Sequence, residues 1–79
     1  MQPSEVVDLI RASIDDADVK VDGEGCDFRL TIISAQFDGV NRVKRQQMVY
    51  ACLNSQIADG TIHAVTMQTY TPAEWQSNQ

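Results

Sequence analysis

Few residues in this chain have side chains that could bind a metal or act as a nucleophile: one histidine, His63, and two cysteines, Cys26 and Cys52. Cys26 follows a polar Gly-Glu-Gly run where packing gives little reason for a thiol, so it is either incidental or a ligand or redox site. Cys52 falls on the apolar side of a predicted helix, which indicates a small core residue. His63 lies at the start of a predicted strand, where a lone histidine is structural, merely exposed, or a ligand.

The standard catalytic motifs are absent from the sequence. It contains no CxxC, HExxH, GxSxG, GxGxxG or P-loop pattern, and no cysteine is near the histidine in sequence. Nucleophile–base pairs, zinc-hydrolase sites and phosphate cradles therefore cannot be assembled locally. We predict that the chain is not an enzyme.

A basic cluster is the other feature that could carry a function. The formal net charge is -5, yet three of the six basic residues fall within four positions, as Arg42, Lys44 and Arg45. The cluster could contact nucleic acid, dock a protein, or form the solvated side of a helix. Eight of the eleven acidic residues lie between Glu5 and Asp27 and would weaken attraction to a polyanion. A compact acidic loop of another protein suits the cluster better.

The composition is that of one small globular domain. The chain has 79 residues, with 43% hydrophobic and 22% charged residues. Its apolar runs are too short to span a bilayer, and the N-terminus lacks the pattern of a signal peptide. Two cysteines are too few for a disulfide framework. We expect a cytoplasmic protein that does not bind membranes, with residues 1–79 forming one domain.

The first half of the sequence predicts a helix followed by a β-hairpin. Pro3-Ser4 opens a helical pattern in which apolar residues recur from Val6 to Ile14, and the Asp15-Asp16 pair ends it. Two runs of alternating residues follow, separated by a glycine-containing linker that indicates a hairpin. Cys26 is predicted to lie at or beside the hairpin loop, exposed. The alternating apolar positions are Val19, Val21, Phe28, Leu30 and Ile32.

The second half predicts a turn, a helix, a turn and a strand. Residues 37–39, Phe-Asp-Gly, form the first turn, and Asn41 is the predicted N-cap of a helix that runs to about residue 54. Residues 58–60 form the second turn, and residues 62–70 the last strand. Simple alternation places His63 on the same face as Val65 and Met67. Residues 70–79 are predicted to be a short tail that contains Trp75.

The predicted fold class is α+β: an αββαβ two-layer domain with a three-stranded mixed sheet and both helices on one face. A right-handed crossover through the second helix sets the last strand parallel to a hairpin strand.

Two segments of this sequence resemble the BolA family. The central motif is carried by Phe37-Asp38-Gly39 and the residues that follow it, and the second hallmark is Ile62-His63-Ala64-Val65. The segment Tyr-Thr-Pro-Ala-Glu-Trp at 70–75 looks like the IbaG/YrbA branch of that family. The resemblance covers nearly the whole chain and implies a fold similar to the class II KH domain. The other matching residues are Arg42, Lys44, Arg45, Gln46, Gln47, Val49, Tyr50 and Leu53.

The resemblance implies a role in iron–sulfur cluster handling. BolA-like proteins bind monothiol glutaredoxins and share a 2Fe–2S cluster with them, with a glutaredoxin cysteine and glutathione supplying two ligands. The BolA-like protein supplies the histidine near the last strand and a residue from the loop between the first two strands. In this chain those positions are His63 and Cys26. Several relatives have a histidine in that loop, so this chain is a cysteine-loop variant whose cluster chemistry need not be the same.

The resemblance also implies an alternative, a KH-like nucleic-acid-binding transcriptional regulator that acts through the basic cluster. No Gly-x-x-Gly clamp of the KH type occurs. Arg42, Lys44 and Arg45 would have to supply most of the contact, so nucleic-acid binding is expected to be weak. The free protein is expected to be a monomer or a weak homodimer.

Overall fold

A computed structural model describes residues 2–24 and 27–77, in which three α-helices accompany a three-stranded sheet. The predicted order αββαβ is confirmed, with one further helix after the last strand. A single-turn 3-10 helix, Ala35–Phe37, lies between β2 and α2. The elements are α1 (Pro3–Ser13), β1 (Asp18–Glu24), β2 (Asp27–Ile33), α2 (Arg42–Ala58), β3 (Ala64–Tyr70) and α3 (Pro72–Ser77).

The sheet has the order β1-β2-β3, with β2 in the centre. β1 and β2 pair antiparallel as the predicted hairpin, and Glu24 pairs with Asp27 at its end. β3 pairs parallel with β2, as the crossover through α2 requires, and Ala64 is the register partner of Asp27. The first residues of β2 and β3 therefore lie side by side at one end of the sheet.

One face of the sheet is buried under the helices. Phe28, Leu30 and Ile32 alternate inward along β2, whereas Asp27 and Arg29 are exposed. This alternation agrees with the predicted two-layer arrangement. The buried cluster, drawn from both layers, consists of Val6, Ile10, Ile14, Ala17, Phe28, Leu30, Ile32, Phe37, Val49, Leu53 and Ile62.

The second helix starts where the sequence predicts. The Asn41 side chain accepts a hydrogen bond from the Lys44 backbone N–H at 2.8 Å, so it caps α2 as expected. The helix continues to Ala58, four residues beyond the predicted end, and the turn contains Gly60 at a positive φ of 83°. The cap was readable because it depends only on neighbouring residues.

The predicted turn at residues 37–39 is wrong for Phe37. That residue ends the 3-10 helix and is fully buried in the core. The Ser34 hydroxyl starts this helix: its oxygen accepts from the Gln36 N–H at 3.0 Å, and it donates to Asp16 at 2.6 Å. The reversal itself occurs at Gly39, whose φ is 74°.

The segment predicted as a short tail contains a helix that was not predicted, since residues Pro72–Ser77 form α3. Thr71 and Glu74 form a reciprocal capping box: Glu74 accepts from the Thr71 N–H at 2.9 Å, and Thr71 Oγ1 accepts from the Glu74 N–H at 3.2 Å. The Trp75 ring packs edge-on against Tyr70 with 5.3 Å between centroids. The Thr-Pro-x-Glu pattern was a local signal for this helix.

Candidate functional site at the start of β2 and β3

His63 lies just before β3 rather than within it. The predicted alternation of residues 62–70 therefore does not reach it: Val65 and Met67 pack against the core, whereas His63 is exposed. The reason is that Ile62 is buried and its N–H donates to the Gln56 carbonyl of α2 at 3.1 Å. Residues 62 and 63 thus belong to the connection from α2, and the strand pattern starts at Ala64.

The side chain of His63 is available for binding. It makes no hydrogen bond or ion pair with any residue that the structure describes. Its backbone is nevertheless constrained on both sides, because Ile62 is anchored in the core and Ala64 pairs with Asp27. An exposed imidazole on a constrained backbone is suited to ligation with little loss of conformational entropy.

Cys26 lies outside the described residues. Its chain neighbour Asp27 is the first residue of β2 and pairs with Ala64, which directly follows His63. The two predicted ligands are thus the sequence neighbours of two paired residues: Cys26 precedes Asp27, and His63 precedes Ala64.

A groove lies at this end of the sheet. It is lined by Gly23, Asp27, Phe28, Arg29, Ala64 and Thr66. Within residues 2–24 and 27–77, no group of three or more His, Cys, Asp or Glu side chains could hold a metal ion.

The three residues of the basic cluster have different environments in the fold. The Arg45 side chain is only 13% exposed and forms a two-pronged ion pair with Glu74, at 2.7 and 3.3 Å. Its Nε also donates to the Val40 carbonyl at 2.7 Å, and its guanidinium lies 5.7 Å from the centre of the Phe37 ring. Arg45 therefore joins α2 to α3, and its charge is already neutralised by a neighbour.

Arg42 and Lys44 remain as exposed cations without an ion pair in the described chain. Arg42 lines a groove beside the far end of β3, together with Gln46 and residues 67–70. His63 precedes the near end, and six residues of strand span about 20 Å. The basic cluster and the His63 end of the sheet are therefore two separate surfaces.

Glu74 is a residue that sequence reasoning missed as a partner of the basic cluster. The hydrogen bond from Arg45 is the main cause that lowers its pKa from 4.5 to about 2, and the Thr71 N–H adds to the effect. The Thr71–Glu74 spacing was a local signal for a capping box that the sequence prediction missed, but no local signal connects residue 74 with residue 45.

Cys52 is half-buried and packs against the core, as predicted. Its Sγ donates to the Met48 carbonyl at 3.3 Å, a bond typical of a thiol within a helix.

No helix among the described residues is both long and apolar enough to cross a membrane.

Comparisons with known proteins identify similar chains. The family model described as BolA-like protein matches residues 2–74. The chain is 44% identical over 75 residues to a protein from the rpoN-murA intergenic region of Acinetobacter guillouiae, covering 95% of this chain and 90% of that one. It is 41% identical over 75 residues to the acid stress protein IbaG of Escherichia coli, covering 95% and 89%.

The fold has a close counterpart among solved structures. A BolA protein homologue from Coxiella burnetii superposes with a TM-score of 0.84 at 26% identity, covering 96% of this chain and 97% of that one.

Proposed function

Because the chain belongs to the BolA-like family, we propose that it is a non-enzymatic adaptor that binds a monothiol glutaredoxin and shares a 2Fe–2S cluster with it. In this proposal His63 and Cys26 are the ligands from this chain. The glutaredoxin cysteine and glutathione supply the other two ligands.

The observation that carries the proposal is the position of His63. Its imidazole is exposed and has no partner in the described chain. His63 directly precedes Ala64, which pairs with Asp27, and Asp27 directly follows Cys26 in sequence. Imidazole and thiolate are both ligands for cluster iron. Two ligands leave half of the four positions for a partner, which is what a bridging cluster needs.

The surroundings of His63 support cluster binding at a protein–protein contact. The backbone of His63 is constrained at the end of the sheet, since Ile62 is buried and Ala64 is paired. A partner would therefore meet an exposed imidazole on a fixed backbone. Arg42 and Lys44 would act as a second contact, separate from the His63 end of the sheet, for acidic residues of a partner.

The test is a titration of this protein into a cluster-loaded monothiol glutaredoxin with glutathione, followed by visible absorption and circular dichroism. A stoichiometric spectral change is expected for the wild type. His63→Ala should reduce or alter the change because one ligand is lost, and Cys26→Ser should do the same. Matched controls are Ser13→Ala, at an exposed position of α1 that does not line the groove, and Cys52→Ser, at the core-packed thiol.

The outcomes separate binding from ligation. A wild-type spectrum identical to that of glutaredoxin alone would contradict the adaptor proposal. A spectral change that survives His63→Ala unaltered would retain the adaptor but remove His63 as a ligand. Equal losses in the control variants would indicate general unfolding instead.

The alternative function, a nucleic-acid-binding regulator, has fewer available contacts than the sequence suggests. Arg45 is engaged by Glu74, so Arg42 and Lys44 are the two exposed cations of the basic cluster. Each neutralised phosphate contributes about -0.9 to the slope of log affinity against log salt. A measured slope at least as steep as two such contacts require, reduced by about that amount in the double variant Arg42→Gln/Lys44→Gln, would favour the alternative.

A further inference from the structure

The outer surface of α2 carries an apolar stripe. Among the described residues, three large apolar side chains are exposed, and all three lie on this helix: Val43, Tyr50 and Ile57, which are 64%, 42% and 37% exposed. They are seven residues apart, and this spacing places them along one line of a helix with a drift of about 20° per step. We call these three residues the α2 stripe.

The stripe differs from ordinary exposed hydrophobic residues. Single apolar side chains scattered over a surface need no explanation. A seven-residue repeat is instead the spacing of one position of the heptad through which one helix packs along another. The core side of α2 is formed by other residues, Val49 and Leu53, which are fully buried. The stripe is therefore a second apolar surface of the same helix.

The stripe is symmetric about its centre. Tyr50 lies seven residues from Val43 and seven from Ile57. If two copies of α2 pack antiparallel with the two Tyr50 residues in contact, each Val43 faces Ile57 of the partner subunit. A twofold interface requires this kind of self-complementarity.

The charges at the two ends of α2 favour the antiparallel arrangement. Exposed Arg42 and Lys44 flank the first stripe residue, and exposed Asp59 directly follows the helix. A hydrogen bond from Thr61 lowers the pKa of Asp59, so this carboxylate is ionised at neutral pH. In an antiparallel pair, Arg42 and Lys44 at the N-terminus of one α2 lie near Asp59 at the C-terminus of the other. Both the side-chain charges and the helix dipoles are then complementary. Parallel copies would bring like charges together.

We propose that the α2 stripe is the contact surface of a weak, antiparallel homodimer of this protein. The proposal is independent of cluster binding and goes beyond it. Three side chains form a narrow strip, well below the roughly 1,200 Å² of total surface that stable interfaces bury. The net charge of -5 also opposes association of two copies. The dimer is therefore expected at high protein concentration.

Cysteine cross-linking tests the arrangement directly, in the full chain with Cys26→Ser and Cys52→Ala as background. Tyr50→Cys alone should form a disulfide-linked dimer, because this position lies on the twofold axis. Val43→Cys and Ile57→Cys should each cross-link poorly alone but form a mixed dimer when combined. The control is Ser55→Cys, an exposed position of α2 about 140° around the helix from Tyr50.

Efficient cross-linking of Val43→Cys with itself would contradict the antiparallel arrangement and indicate parallel helices. Equal cross-linking at Ser55 and Tyr50 would show random collision and overturn the proposal.

Sedimentation equilibrium of the unmodified protein provides a second test. We expect a reversible monomer–dimer equilibrium between micromolar and millimolar concentration, weakened about tenfold or more by Tyr50→Glu, which buries two charges at the axis. Ser55→Glu adds the same charge off the stripe and should leave the equilibrium unchanged. Far-UV circular dichroism confirms that both variants are folded. A protein that stays monomeric throughout, or equal effects of the two variants, would overturn the proposal.

Discussion

The end of the sheet beside His63 depends on a single residue, Gly23. Gly23 pairs with Phe28 near the end of the hairpin. Its φ is 99°, a backbone angle that residues other than glycine rarely adopt. A Cβ at this position would lie 2.5 Å from the Asp27 carbonyl oxygen. The glycine therefore allows the strands to approach closely beside the pair formed by Asp27 and Ala64.

We predict that Gly23→Ala destabilises the protein by more than ~1 kcal/mol, since backbone strain and steric overlap add. Urea denaturation measures the change in the free energy of unfolding. Gly39→Ala is the matched control: its φ is 74°, but nothing lies within 4 Å of the added Cβ. The control isolates the strain of a positive φ, so an equal loss in the two variants would contradict a role for the close approach.

At the element scale, α3 is held by an ion pair that reaches back to the first turn of α2. The Arg45 guanidinium contacts both carboxylate oxygens of Glu74, and the same carboxylate caps α3 through the Thr71 N–H. One side chain thus stabilises the start of α3 and its attachment to α2. This arrangement explains why a segment of six residues forms a helix at the end of the sheet.

The ion pair predicts a pH dependence of stability. The pKa of Glu74 is lower in the folded chain, about 2 against an ordinary 4.5, so folding favours its ionised form. This contribution is present above pH 4.5 and is lost as the pH falls towards 2. Glu74→Gln should therefore be less stable than the wild type at neutral pH, and the difference should disappear near pH 2.

Urea midpoints at the two pH values measure this difference. Glu5→Gln removes an exposed carboxylate from the first turn of α1 and serves as the control. A gap between the wild type and Glu74→Gln that persists unchanged at low pH would show that charge is not its source.

At the scale of the whole molecule, stability depends on a single buried cluster between the helices and the sheet. A chain of this length buries about 60% of its unfolded surface, so each core side chain is a large part of the total. Leu53 is fully buried between the layers, whereas Leu9 is half-buried at the edge of the cluster. These two leucines allow the same substitution to be compared at two depths.

Leu53→Ala is expected to cost about 2–5 kcal/mol, through lost burial and the cavity left behind. Leu9→Ala should cost clearly less, because solvent already reaches that side chain. Chemical denaturation of both variants provides the measurement. Similar losses at the two positions would contradict the view that the centre of the cluster dominates stability.

Several features could be predicted from the sequence because they depend on neighbouring residues. The order of the first five elements followed from the change between helical and alternating periodicity. Asn41 was recognised as a cap because the N–H that donates a hydrogen bond to its side chain lies only three residues away. The Thr71–Glu74 capping box was equally local, although the helix that it starts was not predicted. The family hallmark around His63 was readable for the same reason.

Other features were decided by tertiary structure alone, because they join residues that are distant in the chain. Arg45 loses its free charge to a carboxylate 29 residues later, which no periodicity indicates. The residue after His63 pairs with the residue after Cys26 through the parallel register of β3 with β2. Packing also decides which apolar residues of α2 remain exposed. Local sequence determines which elements form, but their packing determines which side chains remain free to bind.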